Sequence, residues 1–314
     1  MGAPMEGREL VVSIITPSLN QGRFIEQALA SMRAQTCGCV EHIVVDGGST
    51  DETLEILGRA QTAGDLRFIS EADGGMYDAL NKGLRMANGE ILGYLNCDDA
   101  YTPWAIETAV RVLEANPDAD AVFGDGLTID ESTGRQRLSL LPPFDRDALA
   151  LSGSLVQPAV FWRRSAYERI GGFDAGLRYV GDLDYWLRLG ATARFVRVDE
   201  VLAIERHHDA ALSRAASNQM TIEEAEMRAR HRSVTRTSRL FARARAAAWR
   251  RYQWLRFLMR VRDAAPGAGP WSEFTRNGDL QVAPGRVVAM FIPRVGGPYA
   301  WDAVRSRRDW FGAG

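Results

Sequence analysis

The chain has 314 residues, a formal net charge of −2 and 46% hydrophobic residues, so it can bury the core of one large α/β domain or of two smaller ones. No apolar stretch is long enough to span a bilayer, and the mixed, charged start of the chain does not resemble a signal peptide. Three cysteines (Cys37, Cys39 and Cys97) match no zinc-site spacing, so we predict reduced thiols in a cytoplasmic protein.

Charge is distributed unevenly along the chain. Residues 214–262 hold 13 arginines and 3 glutamates, a local charge of +10, whereas residues 1–213 carry a charge of −13. A basic segment attached to an acidic body suggests an anionic partner for that segment.

A strand, a polar loop and a helix follow one another three times within the first hundred residues. Strands are predicted over residues 11–16, 40–45, 66–70 and 90–95, and helices over residues 24–35, 50–60 and 76–87. This repetition is typical of a doubly wound, mostly parallel sheet with right-handed crossovers.

The loop after each of these strands carries Asn or Asp. The side chains are Asn20, Asp46, Asp73 and the adjacent pair Asp98 and Asp99. Loops at the carboxyl ends of parallel strands lie along one edge of the sheet, where ligands bind in this architecture. Each of these residues alone is a common turn residue, but their convergence predicts a binding site.

The pair of aspartates follows the almost wholly apolar strand 90–95. Two adjacent carboxylates repel each other unless a cation lies between them, and a divalent ion with oxygen ligands is the usual solution. The alternative is an acidic turn that caps a helix starting near Pro103.

The second half of the chain is predicted to alternate short strands and helices. Strands cover residues 120–125 and 159–162, helices cover residues 164–170 and 182–189, and residues 126–141 form an irregular hairpin. Beyond residue 214 an arginine-rich, helix-forming segment extends to residue 262, and a linker rich in Pro and Gly covers residues 264–270.

Three motifs in this order resemble the signatures of family 2 glycosyltransferases. They are Ser-Ile-Ile-Thr-Pro-Ser-Leu-Asn at residues 13–20, Val-Asp-Gly-Gly-Ser-Thr-Asp at residues 45–51 and Leu-Asn-Cys-Asp-Asp at residues 95–99. Residues 69–83 are similar to an exopolysaccharide, colanic-acid-type subgroup, and residues 157–162, 171–174 and 181–188 fit the acceptor half of the family. The ordered set is far more specific than any single motif.

The resemblance implies a GT-A fold, which is Rossmann-like, over residues 1–213. The nucleotide-sugar half would cover about residues 10–125 and the acceptor half residues 126–213, followed by a helical, arginine-rich extension and tail over residues 214–314. It also implies an inverting, metal-dependent transfer of a sugar from a nucleoside-diphosphate donor, with Mg²⁺ or Mn²⁺ as the cofactor. The acceptor would be a saccharide or a lipid-linked sugar in polysaccharide or glycolipid synthesis.

On the donor side, the resemblance assigns Asp46 to the nucleotide base and Asp73 to the base or ribose. Lys82, the only lysine of the chain, is a candidate for the diphosphate or sugar, or else a solvated helix residue. The complete set of donor-binding candidates is Pro17, Asn20, Asp46, Asp73, Lys82, Asn96 and Asp98.

The metal-binding candidates are Asp98, Asp99 and His208. Asp98 matches the second aspartate of the family's metal motif, and Asn96 stands where the family usually has Asp. His208 lies in residues 206–213, which resemble the family's closing segment, and a structural histidine is the alternative.

An inverting transferase needs a general base that takes the proton of the acceptor hydroxyl. The family places this base in a Glu-Asp pair before a Trp-Leu-Arg helix, and here the pair is Gly181-Asp182. Asp182 is therefore the catalytic candidate, Asp184 is the reserve, and capping of the helix is the alternative role of Asp182.

The basic segment mixes arginines with Trp249, Tyr252, Trp254 and Phe257. A basic amphipathic helix with aromatic residues can bind an anionic membrane surface, so peripheral contact at the inner face of the cell membrane is predicted. Packing against the domain and an oligomer interface are the alternatives. Nucleic acid is not expected as a partner, because no nucleic-acid-binding motif accompanies the arginines.

Other functions also fit parts of the sequence. A nucleotide-binding oxidoreductase should show Gly-x-Gly-x-x-Gly after its first strand, where this chain has Thr-Pro-Ser-Leu-Asn. A nucleotide-sugar pyrophosphorylase-like enzyme is another possibility. A scaffold that binds a nucleotide sugar without catalysis is the non-enzymatic alternative, which Asn96 and Gly181 keep open.

Overall fold

The computed structural model describes residues 11–211 except residues 39 and 152–154, then residues 217–231, residues 244 and 248, and residues 280–282. The strands are β1 (Val12–Ser18), β2 (Val40–Asp46), β3 (Arg67–Ser70), β4 (Ile91–Tyr94), β5 (Ala100–Tyr101), β6 (Ala121–Asp130), β7 (Gln136–Ser139), β8 (Val160–Arg163), β9 (Phe195–His207) and β10 (Leu280–Val282). The helices are α1 (Gly22–Arg33), α2 (Thr53–Thr62), α3 (Met76–Met86), α4 (Ala105–Ala115), α5 (Arg146–Leu151), α6 (Arg164–Ile170), α7 (Gly181–Leu189) and α8 (Ser217–Arg230).

The strands form one mixed sheet in the order β10-β7-β6-β8-β4-β1-β2-β3, with β9 beside β6 and β5 beside β9. Strands β4, β1, β2 and β3 are parallel to one another, as the repeating pattern predicts. Strand β8 then pairs antiparallel with both β4 and β6, so the sheet changes direction between its two halves. The α/β prediction is confirmed, and the parallel arrangement belongs to the first half of the chain.

Strand β1 lies at the centre of the parallel half, and all seven of its residues are buried. Helix α3 packs very closely on it, because a Cβ at Gly83 would lie 2.3 Å from Cγ2 of Ile15. Only glycine allows this approach of helix to strand. The close packing fixes the position of the loop that joins β3 to α3.

Strand β9 is the longest strand described, and the sequence pattern did not predict it. It pairs parallel with β6 over most of its length and crosses into the first half through its pairing with β5. Its residues are mostly half-buried, so they show neither continuous hydrophobicity nor regular alternation. Pairing with a distant strand therefore determines this element.

Helix α8 packs on the main core of the sheet, although it follows residue 213, where the sequence predicts an extension to begin. Met227 is buried in the main core, and His231 Nε2 lies 2.8 Å from Oδ1 of Asp184. None of the described helices is long and apolar enough to span a bilayer. The aromatic residues on which the membrane prediction rests lie outside the described residues.

The cysteines differ from the prediction of three reduced thiols. Cys97 is a free, buried thiol, whereas Cys37 is disulfide-bonded. The prediction is therefore wrong for Cys37.

Candidate functional site

The loops that follow the four parallel strands form one continuous edge. The backbone N–H of Gly47 donates to the carbonyl of Ser18 at 2.8 Å, and the N–H of Glu71 donates to the carbonyl of Asp46 at 3.0 Å. On the other side, Sγ of Cys97 donates to the carbonyl of Pro17 at 3.3 Å. The predicted convergence of the strand-end loops is thus present in the structure.

Asn20 joins the first two of these loops. Its φ of 52° lies in the left-handed region, which Asn tolerates better than most residues. Its Oδ1 accepts from the N–H of Thr50 at 2.8 Å, and its own N–H donates to Oγ of Ser49 at 2.7 Å. Asn20 therefore holds the loop after β1 against the loop after β2.

Asp46 is fully buried at the end of β2, and its carboxylate accepts four hydrogen bonds. The donors are the N–H groups of Gly48 and Ser49 at 3.0 and 2.8 Å and the hydroxyls of Ser49 and Ser70. Burial raises the pKa of Asp46, but these donors outweigh burial and hold the pKa below its ordinary value. The carboxylate organises the turn that follows β2.

Asp73 and Lys82 occupy the next loop and the helix behind it. Oδ1 of Asp73 accepts from the N–H of Gly75 at 2.8 Å, and its other oxygen lies beside Gly47. Lys82 Nζ lies 2.9 Å from Oε1 of Glu71 and donates to the carbonyl of Ala72 at 3.2 Å. Lys82 therefore neutralises and holds this acidic loop.

A cleft of about 350 Å³ opens beside this edge, between β4, β9, α7 and α8. Its acidic wall contains five carboxylates, and aromatic rings form much of the rest. The carboxylates are those of Asp98, Asp99, Asp182, Glu205 and Glu224, and the large aromatic side chains are Tyr77, Tyr94, Tyr179 and Trp186.

Asn96 presents an unpartnered oxygen at the wall of this cleft. Gln157 Nε2 donates to the carbonyl of Tyr94 at 2.9 Å, which fixes the orientation of the Gln157 amide. Its Oε1 then accepts a hydrogen bond from Nδ2 of Asn96 at 2.9 Å. This orientation leaves the buried Oδ1 of Asn96 without a partner among the described residues. A buried, unpaired carbonyl oxygen is costly unless a ligand satisfies it.

Asp98 and Asp99 face different partners. Asp98 Oδ2 lies 3.1 Å from Nε2 of His208, whose ring packs on Phe24 at 4.3 Å between centroids. Asp99 is buried, and its Oδ1 accepts from the N–H of Arg206 at 3.0 Å. Helix α4 begins after Trp104, so neither aspartate caps it.

Asp182 lies in the first turn of α7 and lines the cleft. Burial raises its pKa to about 6, although backbone N–H groups and Tyr77 act in the opposite direction. The residue that precedes α7 is Val180, so Asp182 is not the helix cap. The carboxylate therefore lies at the wall of the cleft.

The comparison with known sequences identifies the family. Residues 13–180 match the family model described as Glycosyl transferase family 2. The chain belongs to this family.

This family 2 glycosyltransferase has relatives in several bacteria. The PGL/p-HBAD biosynthesis glycosyltransferase of Mycobacterium tuberculosis is 35% identical over 193 residues, which are 60% of this chain and 70% of that protein. An uncharacterized glycosyltransferase of Rickettsia typhi is 30% identical over 219 residues, which are 67% of this chain and 68% of that protein.

Solved structures confirm the GT-A fold of this family 2 glycosyltransferase. S. aureus TarS 1-349 in complex with UDP-GlcNAc has a TM-score of 0.58 at 19% identity, covering 71% of this chain and 66% of that chain. The mannosyltransferase PcManGT from Pyrobaculum calidifontis, in complex with GDP-Man and Mn²⁺, has a TM-score of 0.56 at 22% identity, covering 86% of this chain and 79% of that chain. In another TarS structure, this chain corresponds to 44% of the TarS chain.

The cleft of this family 2 glycosyltransferase brings together four of the predicted residues, namely Asn96, Asp98, Asp99 and Asp182. His208 lies behind Asp98, and Pro17 is buried in β1. Asn20, Asp46, Asp73 and Lys82 lie along the neighbouring loop edge, outside the wall of the cleft. Asp184, the reserve base, is already engaged with Arg188 at 2.7 Å and with His231.

The sequence analysis did not predict that Glu205 and side chains of helix α8 line the cleft. Burial raises the pKa of Glu205 to about 7; Arg137 lowers this pKa, whereas Asp182 and Asp98 raise it. Glu205 enters the cleft because β9 places it opposite Thr128 of β6. Its position directly before the Arg-His-His segment was the only available signal in the sequence.

Proposed function

We propose that this glycosyltransferase is an inverting, metal-dependent enzyme that transfers a sugar from a nucleoside-diphosphate donor to a saccharide or lipid-linked acceptor. The observation that carries the proposal is that Asp98 and Asp182 line one cleft beside the loops at the carboxyl ends of the parallel strands. A donor on these loops would place its diphosphate near Asp98 and its sugar towards Asp182.

The donor would lie on the edge formed by the loops after β1, β2 and β3. In this proposal, Asn20 and Asp46 keep the loops in the shape that receives the nucleotide, and Asp73 contacts its base or ribose. TarS and PcManGT, whose structures contain UDP-GlcNAc and GDP-Man, support a nucleotide-sugar donor for this chain by their shared fold. The calorimetry described below identifies the nucleotide of the donor.

The residues of the cleft fit a divalent cation. Asp98 offers a carboxylate and Asn96 an unpartnered amide oxygen, and Mg²⁺ and Mn²⁺ prefer such oxygen donors. Within the described residues, no three His, Cys, Asp or Glu side chains are placed to hold a metal by themselves. We therefore assign Asp98 and Asn96 as protein ligands, with His208 orienting Asp98, and expect donor phosphate oxygens to complete the site. When bound, the cation would neutralise the charge that develops on the leaving diphosphate.

Asp182 would act as the general base. Its raised pKa of about 6 leaves the carboxylate ionised at neutral pH and makes it a stronger base than an ordinary Asp. It would take the proton of the acceptor hydroxyl as that oxygen attacks the anomeric carbon, while the bond from this carbon to the diphosphate breaks. A single displacement of this kind inverts the anomeric configuration.

Titration calorimetry with UDP, GDP, CDP and dTDP, with and without Mn²⁺, tests the donor site. We expect Mn²⁺-dependent binding of one nucleotide. Asp98→Asn should weaken this binding strongly, since loss even of residues that orient a metal ligand costs about 10- to 100-fold in metal affinity. Asp118→Asn, at an exposed position outside the cleft, is the control.

The rate of turnover of the nucleotide sugar tests the assignment of Asp182 as the general base. Asp182→Asn should keep nucleotide binding and lose turnover by at least about 100-fold. A folded protein that binds none of the nucleotides with Mn²⁺ present would contradict the proposal and favour the scaffold. Full turnover by Asp182→Asn would contradict the assignment of the base alone.

A further inference from the structure

Helix α8 lies beyond residues 13–180, which match the family, yet it forms one wall of the cleft. Three of its side chains line the cleft, namely Met220, Glu224 and Arg228. They are spaced by four residues, so they lie on one face of the helix. The helix thus faces the space beside Asp182 with one apolar group, one carboxylate and one guanidinium.

The helix is fixed to the segment that carries Asp182. The carboxylate of Glu223 accepts from the backbone N–H groups of Arg178, Tyr179 and Val180, at 2.7, 2.6 and 3.1 Å. These groups directly precede α7, so Glu223 holds the segment that leads into this helix. Directly after the end of α8, His231 contacts Asp184 of α7. The position of α8 relative to Asp182 is therefore fixed by these contacts.

Glu224 and Arg228 form an ion pair at 2.7 Å within this wall. The guanidinium also donates to the carbonyl of Leu149 in α5, which fixes its position. A carboxylate that accepts and a guanidinium that donates, side by side, match the hydroxyl groups of a sugar, each of which can donate and accept. The other four carboxylates of the cleft disfavour an anionic group at the same place.

We propose that α8 selects the acceptor, and that the Glu224–Arg228 pair binds the hydroxyl groups of a neutral saccharide beside Asp182. The proposal rests on the proposed function and specifies the acceptor side of that site. Tyr179 stands at the same wall, where its hydroxyl donates to Oε1 of Gln219 at 2.7 Å. Its ring gives the sugar an apolar surface next to the polar pair.

The same helix offers a matched control. Glu226 and Arg230 have the same chemistry and spacing as Glu224 and Arg228, but both are exposed and neither lines the cleft. The experiment uses the full chain, commercial sugar donors of the nucleotide that calorimetry identifies, and octyl glycosides of glucose, galactose, mannose, rhamnose and N-acetylglucosamine as acceptors. Product formation gives the KM for the acceptor, and donor hydrolysis gives turnover with water.

Glu224→Gln and Arg228→Gln should each raise the KM for the preferred glycoside by about tenfold or more, the effect of losing a hydrogen bond to a charged group. Arg228→Lys should restore part of the affinity, whereas Glu226→Gln and Arg230→Gln should leave KM and turnover unchanged. An unchanged KM in both cleft variants, or no transfer to any glycoside by a wild-type enzyme that hydrolyses the donor, overturns this proposal alone. Absence of nucleotide binding by the wild-type protein overturns the proposed function as well.

Discussion

Gly181 packs directly against Tyr77, and a Cβ at residue 181 would lie only 2.7 Å from Cε2 of the tyrosine ring. The ring is buried and stacks on Phe173 with 5.8 Å between centroids, so it has little room to move. Residue 181 is the position at which the Glu-Asp pair of the family would place its glutamate. Tyr77 occupies the space that a side chain at residue 181 would need.

This contact predicts that Gly181→Ala destabilises the protein. Overpacking a buried site costs about 1–3 kcal/mol, so the free energy of unfolding should fall by that amount. Urea denaturation measures the change. Gly58→Ala in α2 is the control, because no atom lies within 4 Å of a Cβ at residue 58 and Ala in a helix gains up to about 1 kcal/mol over Gly. Equal effects of the two substitutions would contradict the packing argument.

The pKa of about 6 at Asp182 predicts how activity depends on pH. Only the ionised carboxylate can accept a proton, so kcat should be constant above this pKa and fall as the pH decreases through it. A pH profile of donor turnover measures the midpoint. Asp182→Asn should show low turnover at every pH, and a wild-type profile with an acidic limb near the ordinary pKa of Asp would contradict the assignment.

The raised pKa of Asp182 also predicts how stability depends on pH. Ionisation of this carboxylate should favour turnover but lower the free energy of unfolding. The pKa of Asp182 is higher in the folded protein than in the unfolded chain, so its favourable contribution is present below about pH 4 and is lost as the pH rises through about 6. Above that pH, burial of the charged carboxylate costs on the order of 3 kcal/mol, because each unit of pKa shift corresponds to about 1.4 kcal/mol. Asp182→Asn should therefore raise the free energy of unfolding at about pH 8 and change it little at about pH 4. Denaturation at both pH values, with Asp118→Asn as the exposed control, checks the sign.

The link between α8 and α7 predicts the effect of Glu223→Ala. Three backbone donors would lose their charged acceptor, which should lower the free energy of unfolding by about 2–3 kcal/mol. Turnover should fall as well, because the first turn of α7 carries Asp182. Glu226→Ala, on the exposed face of the same helix, should change neither quantity. Loss of stability with normal turnover would show that Glu223 does not position the base.

Local sequence pattern was sufficient for the first half of the molecule. Strands β1, β2 and β4 carry short apolar runs, and each of the four strands β1 to β4 leads into a polar loop. The repetition of strand, loop and helix and the edge that carries Asp98 therefore followed from the sequence. Glu205 and Glu224 could not be found in this way. They reach the cleft through the pairing of β9 with β6 and the packing of α8 on α7, which are contacts between distant parts of the chain.

Asp46 shows a different limit of the sequence argument. A strand-end Asp before Gly-Gly-Ser fits both a nucleotide contact and a turn anchor, because the same carboxylate oxygens serve either role. The structure shows which donors surround it: two backbone N–H groups and two hydroxyls. The pattern identified an important residue but not the groups it contacts.

Because Asp46 accepts these four hydrogen bonds, we expect Asp46→Ala to destabilise the protein even when no ligand is present. Four hydrogen bonds to a buried carboxylate would be lost, so the free energy of unfolding should fall by about 2–4 kcal/mol. Asp73→Ala is the comparison, because the carboxylate of Asp73 is less buried and accepts one short backbone hydrogen bond, from Gly75. Urea denaturation of both variants, followed by nucleotide titration at a temperature where both are folded, separates stability from binding. If Asp46→Ala is as stable as Asp73→Ala, the turn-anchor role of Asp46 is wrong, and a loss of nucleotide affinity in that variant would then reflect direct contact.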